Sequence, residues 1–194
     1  MHDKLIAYIE NLLATRLPEE DIALIKSAFL PKTLRKHQYL LQEGEVCRTA
    51  GFVSKGALKQ YTIDDSGKEN ILGLFIKNWW VGDRESFFND TPSPYYIDAF
   101  EPSELLVLTK EDYLQKLSTR PFMSELTRAL SDKQAIRLLK RVHNANTLSA
   151  EQKLADLEKT YPEFLQRFPQ HLIASYLGMT KETLSRIRSN AVKK

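Results

Sequence analysis

Residues 170–189, QHLIASYLGMTKETLSRIRS, leave little freedom in how they fold. Ile173, Leu177, Met179, Leu184 and Ile187 recur at the spacing of two short helices that share one apolar face. Ala174 is small where steeply crossing helices must bring their backbones together, and Gly178 offers a turn residue that tolerates positive φ. Thr180 carries a side-chain oxygen suited to capping the second helix. An ordinary helical hairpin with a solvated charged face would satisfy the same pattern. The outer face decides between them. With Leu184 and Ile187 buried, a helix over 181–190 must expose Lys181, Glu182, Ser185, Arg186, Arg188 and Ser189.

Those side chains suit DNA. Lys and Arg can donate to guanine O6 and N7, and Glu can accept from cytosine N4. A helix with its N-terminal end in the major groove would turn Lys181, Glu182, Ser185 and Arg186 toward base edges. Gln170 and His171, at the start of the preceding helix, would lie near phosphates. The expected DNA-binding set is therefore Gln170, His171, Thr180, Lys181, Glu182, Ser185, Arg186 and Arg188. The net charge of +3 becomes informative only when divided along the chain. Residues 165–194 carry six cations against the single acid Glu182, a net +5, so residues 1–164 carry −2. A basic module at one end of a mildly acidic body fits polyanion binding.

The middle of the chain has a different texture. Short apolar segments at 39–41, 50–53, 58–63, 71–76, 95–100 and 105–108 alternate with turn chemistry such as Glu43-Gly44-Glu45 and Asp64-Asp65-Ser66-Gly67. Strands this short and turns this frequent predict an all-β roll, barrel or sandwich. Helical periodicity flanks it. Leu5, Ile6, Ile9, Leu12 and Leu13 mark one helix, and Pro18 opens a second that runs through Ile22, Ile25 and Phe29. Helix returns over 110–117. After Pro121 a longer helix presents Phe122, Met123, Leu126, Leu130, Ile136, Leu139 and Val142 as a broad apolar face, wide enough for the roll on one side and a second copy of the chain on the other. Lys133-Gln134 interrupts the stripe, so a strict coiled coil is not expected. Residues 144–147 read as a hinge. Ser149-Ala150-Glu151-Gln152 reads as a capping box, and Pro162 ends the helix that it starts.

The whole chain resembles the Crp–Fnr family of transcription regulators. The resemblance rests on QEGE at 42–45, GFVSKGALKQY at 51–61, WVGD at 80–83 and YLGMTKETLSRIR at 176–188. It implies an α+β architecture: an N-terminal cyclic-nucleotide-binding-type β-roll sensor over 1–118, a long dimerisation helix and hinge over 119–146, and an all-α helix-turn-helix domain over 147–194. It also places the base-reading residues at Lys181, Glu182 and Arg186. The expected activity is that of a homodimeric regulator on an inverted-repeat operator. Its expected partners are double-stranded DNA, an unidentified small-molecule effector and RNA polymerase.

Two departures bear on that expectation. Nucleotide-binding members carry a Gly-Glu pair followed some ten residues later by an Arg-Ser or Arg-Thr pair that holds the cyclic phosphate. Here Gly82-Asp83 resembles the first pair, but Ser93-Pro94 stands at the second. A phosphate would lose its fork-shaped guanidinium, so tight binding of cyclic AMP is not expected. Trp80, Gly82, Asp83, Arg84, Ser93 and Tyr95 form the expected effector pocket, with Trp79-Trp80 and Tyr95-Tyr96 as its aromatic walls. In each aromatic pair, one ring packing in the core while its neighbour faces out would explain the pattern equally well. The second departure is at the C-terminus, where residues 190–194 are too few for the wing of longer members, so a domain lacking a full wing is expected. Lys193 and Lys194 could still touch phosphate.

Other functions fare worse. A cupin-type metalloenzyme needs several His and carboxylate ligands inside the barrel, and of the four histidines only His37 falls in the β region. No nucleophile–base constellation appears, and neither an enzyme nor a bound metal or cofactor is expected. Cys47 is the only cysteine, which excludes an internal disulfide or a cluster held by several cysteines of one chain. No apolar run approaches the roughly 18 residues of a spanning helix, and the first residues lack a signal-peptide pattern, so a cytoplasmic protein with no membrane partner is expected. A ligand-sensing scaffold of the same fold that no longer binds DNA is the alternative.

Overall fold

The computed structural model describes residues 1–192, with side chains through residue 190. Lys193 and Lys194 lie outside the described residues. The chain opens with α1 (His2–Leu13) and α2 (Glu19–Ala28). Glu19, Glu20 and Asp21 crowd the first turn of α2, where the helix dipole favours acids. Asp21 and Glu20 also receive the Arg120 guanidinium at 2.6 and 3.0 Å.

Eight strands follow among the described residues: β1 (Phe29–Leu34), β2 (Tyr39–Leu41), β3 (Thr49–Lys55), β4 (Leu58–Ile63), β5 (Glu69–Phe75), β6 (Trp80–Val81), β7 (Tyr96–Ala99) and β8 (Ser103–Thr109). They form two antiparallel sheets, ordered β1-β8-β3-β6 and β2-β7-β4-β5. The second helix was expected to carry through Phe29, but Phe29 begins β1. That strand contains Pro31, which lacks an amide donor; an edge position accommodates it. The short α3 (Arg84–Asn89) sits between β6 and β7 and was not expected. Asp83 starts it by accepting the N–H groups of Glu85 and Ser86 at 3.1 and 3.3 Å.

Strand alternation builds two cores. Val53, Leu105 and Val107 point between the sheets with Leu58 and Ile97, while their neighbours Phe52, Leu106 and Leu108 point outward to α1 and α2. Beyond β8, α4 (Lys110–Asp112) runs into a π-turn at Tyr113–Leu117, and α5 spans Pro121–Thr147. Residues 144–147 are helical rather than a hinge; the break falls at Leu148, whose φ of −92° and ψ of 143° are extended. The helix therefore reaches one residue past the expected segment boundary at 146.

The C-terminal helices are α6 (Ala150–Thr160), α7 (Pro162–Arg167), α8 (Gln170–Tyr176) and α9 (Lys181–Val192). The capping box is present: the Gln152 N–H donates to Ser149 Oγ, and the Ser149 N–H donates to Gln152 Oε1. Pro162 ends α6 and also opens α7, since a proline at the first helical position forfeits no bond. These helices do not hang free on the hinge. Phe164, Ile173 and Leu184 share a third core with Tyr61, Ile71 and Leu74 on the outer face of the second sheet. Full burial of one such aliphatic or phenyl side chain contributes about 1.5–3 kcal/mol.

Candidate DNA-reading surface and effector groove

The helix-turn-helix is built from α8 and α9. Ile173, Ala174 and Leu184 are nearly inaccessible, and Ile187 closes the same core. Gly178 has a φ of +68°, the left-handed value that the turn requires. The Met179 N–H reaches back to the Ala174 carbonyl at 3.0 Å. Thr180 Oγ1 accepts the Thr183 N–H at 3.1 Å, so Thr180 serves the turn by capping α9.

The other side of α9 is open. Lys181, Glu182, Ser185, Arg186, Arg188 and Ser189 are all exposed, as is His171, and Gln170 is half-buried at the start of α8. Arg186 also lies close enough to the first turn of α6 to act on Glu151. That carboxyl is held below the usual range first by its own backbone N–H, then by the Ser149 hydroxyl, with the Arg186 charge adding to both. The basic face is thus presented to solvent along one helix.

The long helix α5 changes surroundings midway. Phe122, Met123 and Leu126 are buried against α1 and the first sheet. Further along, Ile136, Leu138, Leu139 and Val142 are 67, 59, 70 and 51% exposed, an apolar face that nothing in the chain covers among the described residues.

Between this half of α5 and the roll lies a groove of about 910 Å³. Trp80, Gly82, Asp83 and Arg84 line it; Ser93 and Tyr95 do not. Ser93 is buried and braces a loop, exchanging backbone bonds with Gly44 and Glu45 and accepting the Tyr95 N–H on its hydroxyl at 3.2 Å. The two tryptophans diverge. Trp80 packs on Phe29 and Phe52 at 5.9 and 5.6 Å between ring centroids, while Trp79 packs on Tyr161 and Phe164 at 5.3 and 5.6 Å. Asp83 spends its carboxylate on the cap of α3. Arg84 bonds to the Ser131 hydroxyl and to the Thr127 carbonyl, tying the roll to α5. Behind the groove, Cys47 is buried, and that burial pushes its thiol up, away from the reactive thiolate form.

Sequence reasoning passed over the cations that α5 sends into this groove. Lys133, Arg137 and Arg141 line it at successive i, i+4 positions. Arg137 stands 4.4 Å above the Trp79 ring, and Arg141 stands 4.4 Å above Tyr176. Their spacing was visible, but Lys133-Gln134 reads as a flaw in an apolar stripe unless the stripe's other side is known to face a cavity. Among the described residues, no group of His, Cys, Asp and Glu is arranged to hold a metal ion, and no helix is long and apolar enough to cross a membrane.

A roll joined through one long helix to a helix-turn-helix is also the arrangement that comparison with known proteins finds. Residues 31–120 match the model of the cyclic nucleotide-binding domain. The chain is 28% identical over 172 residues to the anaerobic regulatory protein of Haemophilus influenzae, covering 80% of this chain and 64% of that one. It is 27% identical to the transcriptional activator protein Anr of Pseudomonas aeruginosa, covering 80% and 68%. The chain thus spans about two thirds of the length of these relatives. Among solved structures, FixK2 from Bradyrhizobium japonicum superposes with a TM-score of 0.74 at 14% identity over 85% of both chains. The global regulator CLP of Xanthomonas campestris superposes at 0.69 and 17%, over 91% of this chain and 92% of that one. Residues 31–120 thus match a cyclic nucleotide-binding domain, and the chain as a whole is similar to regulators of the Crp–Fnr type.

Proposed function

We propose that this chain is a DNA-binding transcription regulator that reads an inverted repeat as a homodimer. The observation that carries the proposal is the split character of α9: Leu184 and Ile187 anchor one side, and the opposite side exposes Lys181, Glu182, Ser185 and Arg186. A recognition helix needs that division, because the buried side fixes the orientation in which the polar side meets base edges. Relatives named as transcriptional activators and regulatory proteins support the same reading. The exposed face at Ile136, Leu139 and Val142 is the natural seam for the second copy, and two-fold symmetry in the protein calls for an inverted repeat in the DNA. RNA polymerase is the expected further partner, and the cytoplasm the expected compartment.

Selection of the purified protein against a random DNA library near physiological salt tests this directly. The proposal predicts an enriched inverted repeat. A folded dimer that enriches no sequence, either alone or with cell extract added, contradicts it.

The groove beside α5 is the proposed effector site, with Trp80, Gly82 and Arg84 among its walls. A family-type phosphate cradle is missing from it, since Asp83 is committed to capping α3, and Ser93 and Pro94 stand where the guanidinium and its neighbour are expected. Cyclic AMP should bind weakly; a sub-micromolar dissociation constant by calorimetry would overturn this.

A further inference from the structure

Strand β5 is the outer strand of its sheet, and an outer strand leaves N–H and C=O groups unpaired on its free side. Here the DNA-reading half of the chain takes them up. The Ile71 N–H donates to Ser175 Oγ of α8 at 2.9 Å, and that hydroxyl donates on to the Glu69 carbonyl at 3.4 Å. The Arg141 guanidinium, reaching from α5, donates to the carbonyls of Leu72 and, at 3.3 Å, Ile71. It donates in addition to the Tyr176 carbonyl at the end of α8, at 3.2 Å. One side chain thereby joins the long helix, the edge of the sensor and the first helix of the helix-turn-helix. All of its hydrogen bonds go to carbonyls.

The covalent route between the same parts is slight. Between α5 and α6 lie only Leu148, in an extended conformation, and Ser149. A link that short fixes distance but not direction, because extended backbone can swivel about its own dihedrals. The apolar contacts of Leu172 and Ile173 with Ile71 hold the two halves together, and contacts of that kind are non-directional. The hydrogen bonds of Arg141 and Ser175 are directional. Other directional bonds tie α5 to α6, through Lys140 and Asn144 to Asp156, and α7 to the roll, through Arg167 to the Gly56 carbonyl and Glu101. Among the described residues, those that reach α8 itself from α5 and β5 are the bonds of Arg141 and Ser175, so these set the angle at which α8 sits against α5, and α9 follows α8 through their shared core.

From this we infer that Arg141 and Ser175 are positioning residues that set the half-site spacing the regulator accepts. The inference rests on the reading of the chain as a dimeric DNA reader. In such a dimer the seam on α5 fixes one end of a rigid path, Arg141 and Ser175 hold its middle, and the base-reading face of α9 is its far end. Neither residue touches DNA in this scheme. Shifting one half-site by two base pairs turns it by roughly 70° and moves it by roughly 7 Å, far outside hydrogen-bond reach of a fixed helix. A regulator whose helix angle is held rejects the shifted site, whereas one whose angle is loose tolerates it.

The test uses the full chain and the inverted repeat obtained by selection. Affinities are measured for that repeat, for versions with the spacer changed by one and two base pairs, and for a single half-site. The wild type should lose affinity steeply as the spacer changes. Arg141→Met keeps most of the aliphatic stem and loses the guanidinium. It should reduce the discrimination against shifted spacers by about tenfold, the worth of a charge-assisted hydrogen bond, with single half-site affinity unchanged. Ser175→Ala should move the same way by less. A folded, dimeric Arg141→Met protein with wild-type spacing preference overturns the inference.

A second measurement does not depend on DNA. The Ile71 amide should exchange with solvent faster in both variants than in the wild type, relative to the Ile97 amide in the interior of the same sheet. Unchanged Ile71 exchange in Ser175→Ala overturns the clamp even if Arg141→Met fails to fold. If selection enriches no repeat, or if the wild type is indifferent to spacing, the dimeric reading fails instead, and the Ile71 exchange then decides the clamp on its own.

Discussion

Asp98 sits on β7 with almost no accessible surface, and one carboxylate oxygen has no hydrogen-bond partner. Lys59 lies 3.9 Å away and is itself bound to Glu69. Loss of hydration pushes the Asp98 carboxyl above its ordinary value of 3.8; Lys59 and His37 oppose the shift, Glu69 adds to it, and the Tyr61 hydroxyl opposes it weakly. A raised carboxyl binds its proton more tightly in the folded chain than in the unfolded one. Its favourable contribution is therefore present at low pH and is lost as pH rises through the folded value. Asp98→Asn removes that loss, so its stability advantage over the wild type should grow from the ordinary carboxylate range toward neutrality. Urea unfolding of both proteins across that window checks the sign, and a constant or shrinking difference contradicts it. Nothing in the sequence marks Asp98 as unusual, because its confinement comes from β4 and β5, which are strands it meets only in the folded sheet.

Elements were legible where their causes are local. The turn between α8 and α9, the cap at Thr180 and the box at Ser149 each depend on residues within a few positions, and each appears where the spacing puts it. β1 was hidden because Pro31 reads as a breaker until the strand is known to lie at an edge. The continuation of α5 through 144–147 was hidden because polar residues next to a capping box resemble a hinge. In the groove, Ser93 was placed by analogy with a phosphate cradle and Tyr95 as an aromatic wall, yet both brace the loop beside it. Gly56, with a φ of +92°, joins β3 to β4, and a Cβ there would lie 2.3 Å from Ser103 Oγ and 2.7 Å from the Pro102 carbonyl. Gly56→Ala should destabilise the roll by about 1–3 kcal/mol or more, combining backbone strain with a clash against main chain. Thermal or urea unfolding reads this, and a change within about 0.5 kcal/mol contradicts it. Ser149→Ala should cost about 1 kcal/mol through the lost cap, read in the same way.

For the whole molecule, the clamp contacts explain what sequence could not convey. Ser175 and Ile71 are 104 positions apart, and Arg141 and Leu72 are 69 apart, so no window of sequence contains both ends. In the proposed dimer, α5 couples the seam, the edge of β5 and the proposed reading helix α9. Charge at the proposed seam should therefore uncouple the two copies of that dimer. Ile136→Glu with Leu139→Glu should give a folded monomer in sedimentation velocity and abolish preference for an inverted repeat over a single half-site. A double variant that stays dimeric contradicts the placement of the seam.

The exposed side of α9 is the proposed base-reading surface. The most direct measurement compares the wild type with Lys181→Ala and Arg186→Ala on the selected repeat and on every single-base substitution within one half-site. Each variant should lose about 1–3 kcal/mol on the selected repeat and lose discrimination at one base pair per half-site. An equal loss across all sequences, with discrimination intact, would mean that these side chains touch only phosphate and that α9 does not read sequence through them.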